Sequence, residues 1–218
     1  MSAELAGLYG GTFDPIHQGH LAPVEQIAAQ IGLEQVVLMP CHIPPHRQSP
    51  AVDSTHRLAM VKLAAEAYPR FRVSDWEITR QAPSYTVDTL HHLCQTWPDK
   101  HWYVFIGMDS LLSFHRWHRY QDILTMANLV VALRPGAVIE AADAEITRLL
   151  AEHRVVGIDA LKHSKAGAIY LAENELQDVS ATELRQQLQT GNTSHPMLNA
   201  DVSRYIAHHG LYQTTPQA

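Results

Sequence analysis

His17 and His20 sit three positions apart in the run Gly10-Gly11-Thr12-Phe13-Asp14-Pro15-Ile16-His17-Gln18-Gly19-His20. Two imidazoles at that spacing can bring ring N–H donors to one mouth, where they would stabilise charge on phosphoryl oxygens. Gly10 and Gly11 let a ligand approach the backbone with no Cβ in the way. Zinc is the poorer use of the pair. The spacing suits a metal, but no carboxylate or cysteine follows at metal-site distance, so no metal-ligating residue is expected.

Such donors must be placed by regular elements. Residues 5–9 are short and apolar and predict a buried strand. Residues 21–31 predict a helix, so the glycines and histidines fall on a tight strand-to-helix connection. A helix start there offers unpaired N–H groups and the positive end of the dipole. A second strand is expected over 34–39, which makes two βα units and a parallel sheet with right-handed crossovers. The proline-rich stretch 40–53 reads as a long functional loop. Ser54 or Thr55 is a candidate cap for a helix to about 67, in which Leu58, Val61 and Leu63 are apolar.

Further along, 71–73 predicts a short strand, and 86–94 a helix carrying Val87, Leu90 and Leu93 inward. Residues 102–106 predict a central strand, ended by Gly107-Met108-Asp109-Ser110, which opens another helix. Strands are expected at 128–133 and 168–171, with a peripheral acidic helix over 141–153. Ser180 and Glu183 are placed as a capping box. A last helix spans 200–209 with Gly210 at its C′ position. The fold class is therefore α/β: a Rossmann-like, doubly wound, mostly parallel sheet with helices on both faces. A single domain over 1–218 is expected, with 213–218 a frayed tail.

Composition excludes several classes. The formal net charge of −6 argues against a nucleic-acid partner. No run of eighteen apolar residues exists, so no membrane span is expected, and the N-terminus carries no secretory pattern. Two cysteines, Cys41 and Cys94, are too few for a disulfide framework and fit a reducing cytoplasm. Of the fifteen histidines, pairs such as His91-His92 and His208-His209 read as solvated helix-surface residues.

The eleven-residue run resembles the signature of the nucleotidyltransferase superfamily, whose core of histidine, any residue, glycine, histidine is here His17-Gln18-Gly19-His20. Four more stretches follow in order: Pro44-Pro45-His46-Arg47, Pro83-Ser84-Tyr85-Thr86, Gly107-Met108-Asp109-Ser110, and Ser180-Ala181-Thr182 with Arg185. With Trp117 between them, the set resembles the bacterial nicotinate mononucleotide adenylyltransferases from about Leu8 to Tyr212.

The resemblance implies transfer of AMP from ATP to nicotinate mononucleotide, giving deamido-NAD and pyrophosphate. Such chemistry needs positioning and charge stabilisation but no protein nucleophile. His17 and His20 would be catalytic, at the α- and β-phosphates. ATP would also meet Gly10, Gly11, Thr12, Phe13, Arg134, Ser180, Thr182 and Arg185. The acceptor would meet Asp14, His46, Arg47, Tyr85, Thr86, Asp109, Trp117 and His118. Mg2+ is expected to enter bound to the ATP phosphates. The oligomeric state, monomer or homodimer, stays open.

Two positions depart from the pattern: Arg47 stands where lysine is common, and Ala181 where serine is usual. Rival readings are a phosphopantetheine-type adenylyltransferase, which has no need of Ser84-Tyr85-Thr86 and Trp117, and a noncatalytic nucleotide sensor, which need not keep both histidines and Arg185.

Overall fold

A computed structural model describes residues 4–43, 49–132, 142–174, 179–191 and 194–213. Seven strands make one sheet: β1 (Glu4–Gly11), β2 (Gln35–Pro40), β3 (Phe71–Val73), β4 (Lys100–Gly107), β5 (Ala127–Ala132), β6 (Arg154–Val155) and β7 (Ile169–Ala172). Their order is β3-β2-β1-β4-β5-β7-β6, and every neighbouring pair is parallel. The sheet is thus wholly rather than mostly parallel. Leu8 of β1 lies opposite Val37 on one side and Val104 on the other. The chain winds outward from β1 through β2 to β3, then returns to place β4 on β1's free side. That reversal puts a switch point, the usual ligand crevice of α/β sheets, between the carboxyl ends of β1 and β4.

The helices are α1 (Gln18–Ile31), α2 (Ser54–Ala65), α3 (Trp76–Thr79), α4 (Thr86–Thr96), α5 (Met108–Leu112), α6 (Tyr120–Met126), α7 (Ala144–His153), α8 (Ile158–His163), α9 (Ala181–Gln189) and α10 (Ala200–His209). Alternate strand residues feed two cores, as the pleat demands. Val36, Leu38, Tyr103, Phe105 and Val130 pack with α1, α2, α8, α9 and α10. Val37, Met39, Trp102, Val104, Ile106, Leu129 and Val131 pack with α4, α5, α6 and α7. No described helix is long and apolar enough to cross a membrane.

Several local expectations shift. α1 starts at Gln18 with His17 as its N-cap, so His20 lies in the first helical turn rather than in a loop. Three positions make almost one turn, and this stacks the two rings. α2 is capped by Asp53, whose Oδ1 accepts from the Thr55 and His56 amides, not by Ser54 or Thr55. Its buried face is Arg57, Met60, Val61, Ala64 and Ala65. The i, i+3, i+4, i+7 row that faces the core begins at a charged residue. His92 is not simply solvated, because its ring stacks on Trp76 with centroids 4.4 Å apart. Gly210 caps α10 in the left-handed conformation, as expected.

Candidate active site

β1 ends in Gly10 and Gly11 at the switch point. A Cβ on Gly10 would meet nothing closer than the Met39 carbonyl at 3.9 Å, so this backbone is open to a ligand. Gly11 is different, since its Cβ would stand 2.9 Å from the Phe13 ring. Phe13 turns in with φ 51, and its buried ring lies edge-on to Tyr9 and His20 at 5.5 and 5.4 Å. The turn thus folds over an aromatic plug and presents His17 and His20 beyond it.

The two imidazole centroids are 3.7 Å apart, tilted by 35°. The His17 amide donates to Nδ1 of His20 at 3.3 Å. With Nδ1 an acceptor, the neutral ring carries its proton on Nε2, the far nitrogen. His17 is only 3% exposed. The glycine between them is there for close approach. A Cβ at Gly19 would sit 2.5 Å from Val179 Cγ1 and 3.0 Å from His17 Nδ1.

The late helix reaches this turn directly. Arg185 on α9 donates through Nη1 to the Asp14 carbonyl at 2.7 Å and through Nη2 to Thr182 Oγ1 at 3.2 Å. Ser180 caps α9 and accepts the Glu183 amide at 3.2 Å, while the Glu183 carboxylate takes the Ser180 amide and hydroxyl at 3.3 and 2.9 Å. The expected capping box is present, so a carboxylate of the chain itself already stands at this helix start. Asp14 also differs from expectation. Its carboxylate accepts the Ala51 amide and the Tyr212 hydroxyl, both at 2.7 Å, so it braces the site rather than offering a free carboxylate to a ligand.

The expected acceptor side assembles around the start of α4. Tyr85 is its N-cap in extended conformation and makes no side-chain cap. The Tyr85 ring packs on His118 with centroids 4.6 Å apart. Trp117, next in chain, is half-buried and rests on Phe114 at 5.4 Å. Asp109 is exposed in the first turn of α5, just past β4. Thr86 opens α4 beside Tyr85. His46, Arg47 and Arg134 lie outside the described residues.

Three residues tie these parts together that sequence reasoning missed. Arg57 is 1% exposed. Its guanidinium donates to the carbonyls of Val52, Thr12, Cys41 and His42 at 3.1, 2.6, 2.8 and 3.1 Å. Among the described residues it forms no ion pair. It therefore joins the glycine turn to both ends of the loop after β2 and leaves a fixed positive charge beneath them. Glu77 is the second. Burial pushes its carboxyl above the usual range, and it accepts the Thr89 hydroxyl at 2.5 Å. Ser84 Oγ accepts the His42 amide at 3.0 Å. Tyr212 is the third. Arg57 was visible in principle, as a cation in phase with Met60, Val61 and Ala64. Glu77 and Tyr212 carried no comparable signal.

The described cavities of about 440 and 490 Å³ lie at the carboxyl ends of β6 and β7 and along α9. Neither is lined by an expected site residue. The candidate site is instead the open crevice between β1, β4, α4 and α9.

Known proteins resemble the chain over nearly its whole length. The profile of the family described as "Cytidylyltransferase-like" matches residues 8–187. The "Probable nicotinate-nucleotide adenylyltransferase" of Pectobacterium atrosepticum is 46% identical over 211 residues, covering 96% of this chain and 99% of the relative. Its counterpart in Yersinia enterocolitica is 44% identical over 210 residues, covering 96% of each. In fold, the chain is similar to Plasmodium falciparum nicotinic acid mononucleotide adenylyltransferase complexed with NaAD. The TM-score is 0.72 at 17% identity, over 96% of this chain and 97% of that one.

Proposed function

The chain belongs to the cytidylyltransferase-like family, and from that premise we propose that it is a nicotinate-nucleotide adenylyltransferase. It joins nicotinate mononucleotide to the AMP moiety of ATP, giving deamido-NAD and pyrophosphate. Support comes from full-length relatives at 44–46% identity. The observation that carries the site assignment is the Arg185–Asp14 bond, which brings a guanidinium from residue 185 onto the turn that presents His17 and His20.

In this reading the acceptor's 5′-phosphate oxygen attacks the α-phosphorus of ATP in line. The bond from that phosphorus to the α,β-bridging oxygen breaks, and pyrophosphate departs with the electron pair. The protein forms no covalent bond. His20, with its proton on Nε2, and His17 donate to the phosphoryl oxygens as charge builds there. Arg185 holds the β- and γ-phosphates, where a planar fork outperforms a point charge. Magnesium arrives as part of the Mg-ATP substrate. The ion would be ligated mainly by phosphate and water.

The acceptor base lies at the start of α4, with Trp117 and the Tyr85–His118 pair as its aromatic walls. Its carboxylate meets the free first-turn amides near Thr86. A carboxylate only accepts, so donors satisfy it fully. A nicotinamide would set its own N–H against them, at about 1–3 kcal/mol per unsatisfied buried group. Of the nearby acids, Glu77 is committed to the Thr89 hydroxyl and Asp88, in the first turn of α4, to Arg80, so neither serves as that missing acceptor.

The test is pyrophosphate release from ATP with nicotinate mononucleotide and nicotinamide mononucleotide side by side. A strong preference for the acid is expected. Equal kcat/KM for both would make the enzyme dual-specific, and no release with either would refute the assignment.

A further inference from the structure

Asp14 is a junction of three distant segments. Oδ1 takes the Tyr212 hydroxyl and Oδ2 the Ala51 amide, each at 2.7 Å, and the main-chain carbonyl takes Arg185 Nη1 at 2.7 Å. The residue is 6% exposed, so its carboxylate depends on these donors in place of water. Ala51 closes the loop that follows β2, and Arg185 is the guanidinium assigned above to the leaving phosphates. Whatever fixes Asp14 therefore fixes both substrate sides.

Tyr212 reaches this junction by a specific path. α10 ends at Gly210 (φ 61), and the Leu211 amide returns to the Ile206 carbonyl at 3.0 Å, which turns the chain back on the helix. Tyr212 then takes φ 64, a conformation a bulky residue keeps only when its surroundings hold it there. Burial first, and then the Asp14 carboxylate beside it, push the phenol far above its ordinary range. The hydroxyl thus remains a donor through the working range of pH. A tyrosine that only anchored the C-terminal helix would have no use for the hydroxyl, because phenylalanine fills the same apolar space.

We propose that Tyr212 is a positioning residue for adenylyl transfer: its hydroxyl fixes the Asp14 side chain, which also holds the Ala51 end of the loop, and so sets the backbone of the residue whose main-chain carbonyl holds Arg185. This rests on the adenylyltransferase reading of the site. The roles divide cleanly. Tyr212 acts through position, Asp14 relays, and Arg185 makes the proposed phosphate contact.

The experiment compares the full-length chain with Tyr212→Phe, varying ATP and nicotinate mononucleotide in turn and following amide exchange at Ala51. Loss of one buried charge-assisted hydrogen bond predicts kcat/KM about tenfold lower for both nucleotides. Tm should fall by no more than about 4 °C. Ala51 should exchange faster, and Tyr212→Phe should add nothing further in an Asp14→Ala background, because the two act in series. Normal kinetics with unchanged Ala51 exchange would overturn the proposal. So would losses that multiply in the double variant, since Tyr212 would then act by another route. An inactive wild-type chain would refute the adenylyltransferase reading alone. Ala51 exchange still reads the linkage in that case, and if Tyr212→Phe leaves it unchanged the linkage falls too.

Discussion

The starts of α4 and α9 look alike in sequence, each a hydroxyl-bearing stretch that opens a helix at a strand's carboxyl edge. They are built differently. α9 closes its own N-terminus, with Ser180 on the Glu183 amide and the Glu183 carboxylate on the Ser180 amide. α4 is left open, its N-cap Tyr85 making no side-chain cap. Elsewhere among the described residues, α2, α7 and α10 are capped by Asp53, Asp143 and Asn199. The short helices α3, α5, α6 and α8 also lack a side-chain cap; the open start of α4 is set apart by the Tyr85–His118 pair beside it, where the proposed acceptor anion would be received. At α9 a carboxylate already fills that role, so the proposed function gives phosphate binding there to Arg185 rather than to the helix end.

The largest expected effect lies outside both helices and calibrates them. His17→Ala and His20→Ala should each lower kcat by about 10²-fold or more, the scale of losing one oxyanion-type donor. Tm should barely move; near-normal turnover in both would remove the histidines from the chemistry. Next comes Arg185→Lys, which should cost about tenfold in kcat/KM with ATP varied, because the fork that spans Asp14 and the phosphates is lost. If ATP kinetics are unchanged, α9 binds phosphate through its backbone after all.

Tyr85→Asp would give α4 the closure that α9 has. Its own carboxylate would compete with the substrate's, so KM for nicotinate mononucleotide should rise about five- to tenfold while stability gains about 0.5–1 kcal/mol. Tyr85→Asn supplies a neutral cap and controls for the lost His118 contact. An equal KM rise in both variants would mean stacking, not the open helix end, matters there. The smallest effect is the converse. Glu183→Gln keeps the capping geometry and removes the charge, so KM for ATP should fall by no more than about threefold. A rise would show that the carboxylate is needed in the ATP site.

The long elements were legible because their physics is local. Apolar runs at 5–9 and 102–106 could only be buried strands, and Ser180 with Glu183 announced its helix. α3, α6 and α8 were missed because one or two turns carry too little period to register. Asp53 was passed over for Ser54 and Thr55 because three cap-competent residues in succession leave the start ambiguous by one. The motif residues of the site could be named, but the bonds that hold them could not. Arg57 takes carbonyls, which carry no side-chain identity. Tyr212 finds Asp14 across 198 positions, a separation over which local pattern says nothing.

That separation has a consequence for how the protein is made. A ribosome delivers the glycine turn and both histidines long before Arg185 and Tyr212. At about 5–20 residues per second, the 198 positions between Asp14 and Tyr212 take roughly 10–40 s to synthesise. Throughout that interval the nascent chain holds the first half of a nucleotide site with its braces still untranslated. The turn that follows α10 completes the frame, so a chain cut between Arg185 and Tyr212 would carry the glycine turn, both histidines and Arg185 and lack the final brace on Asp14.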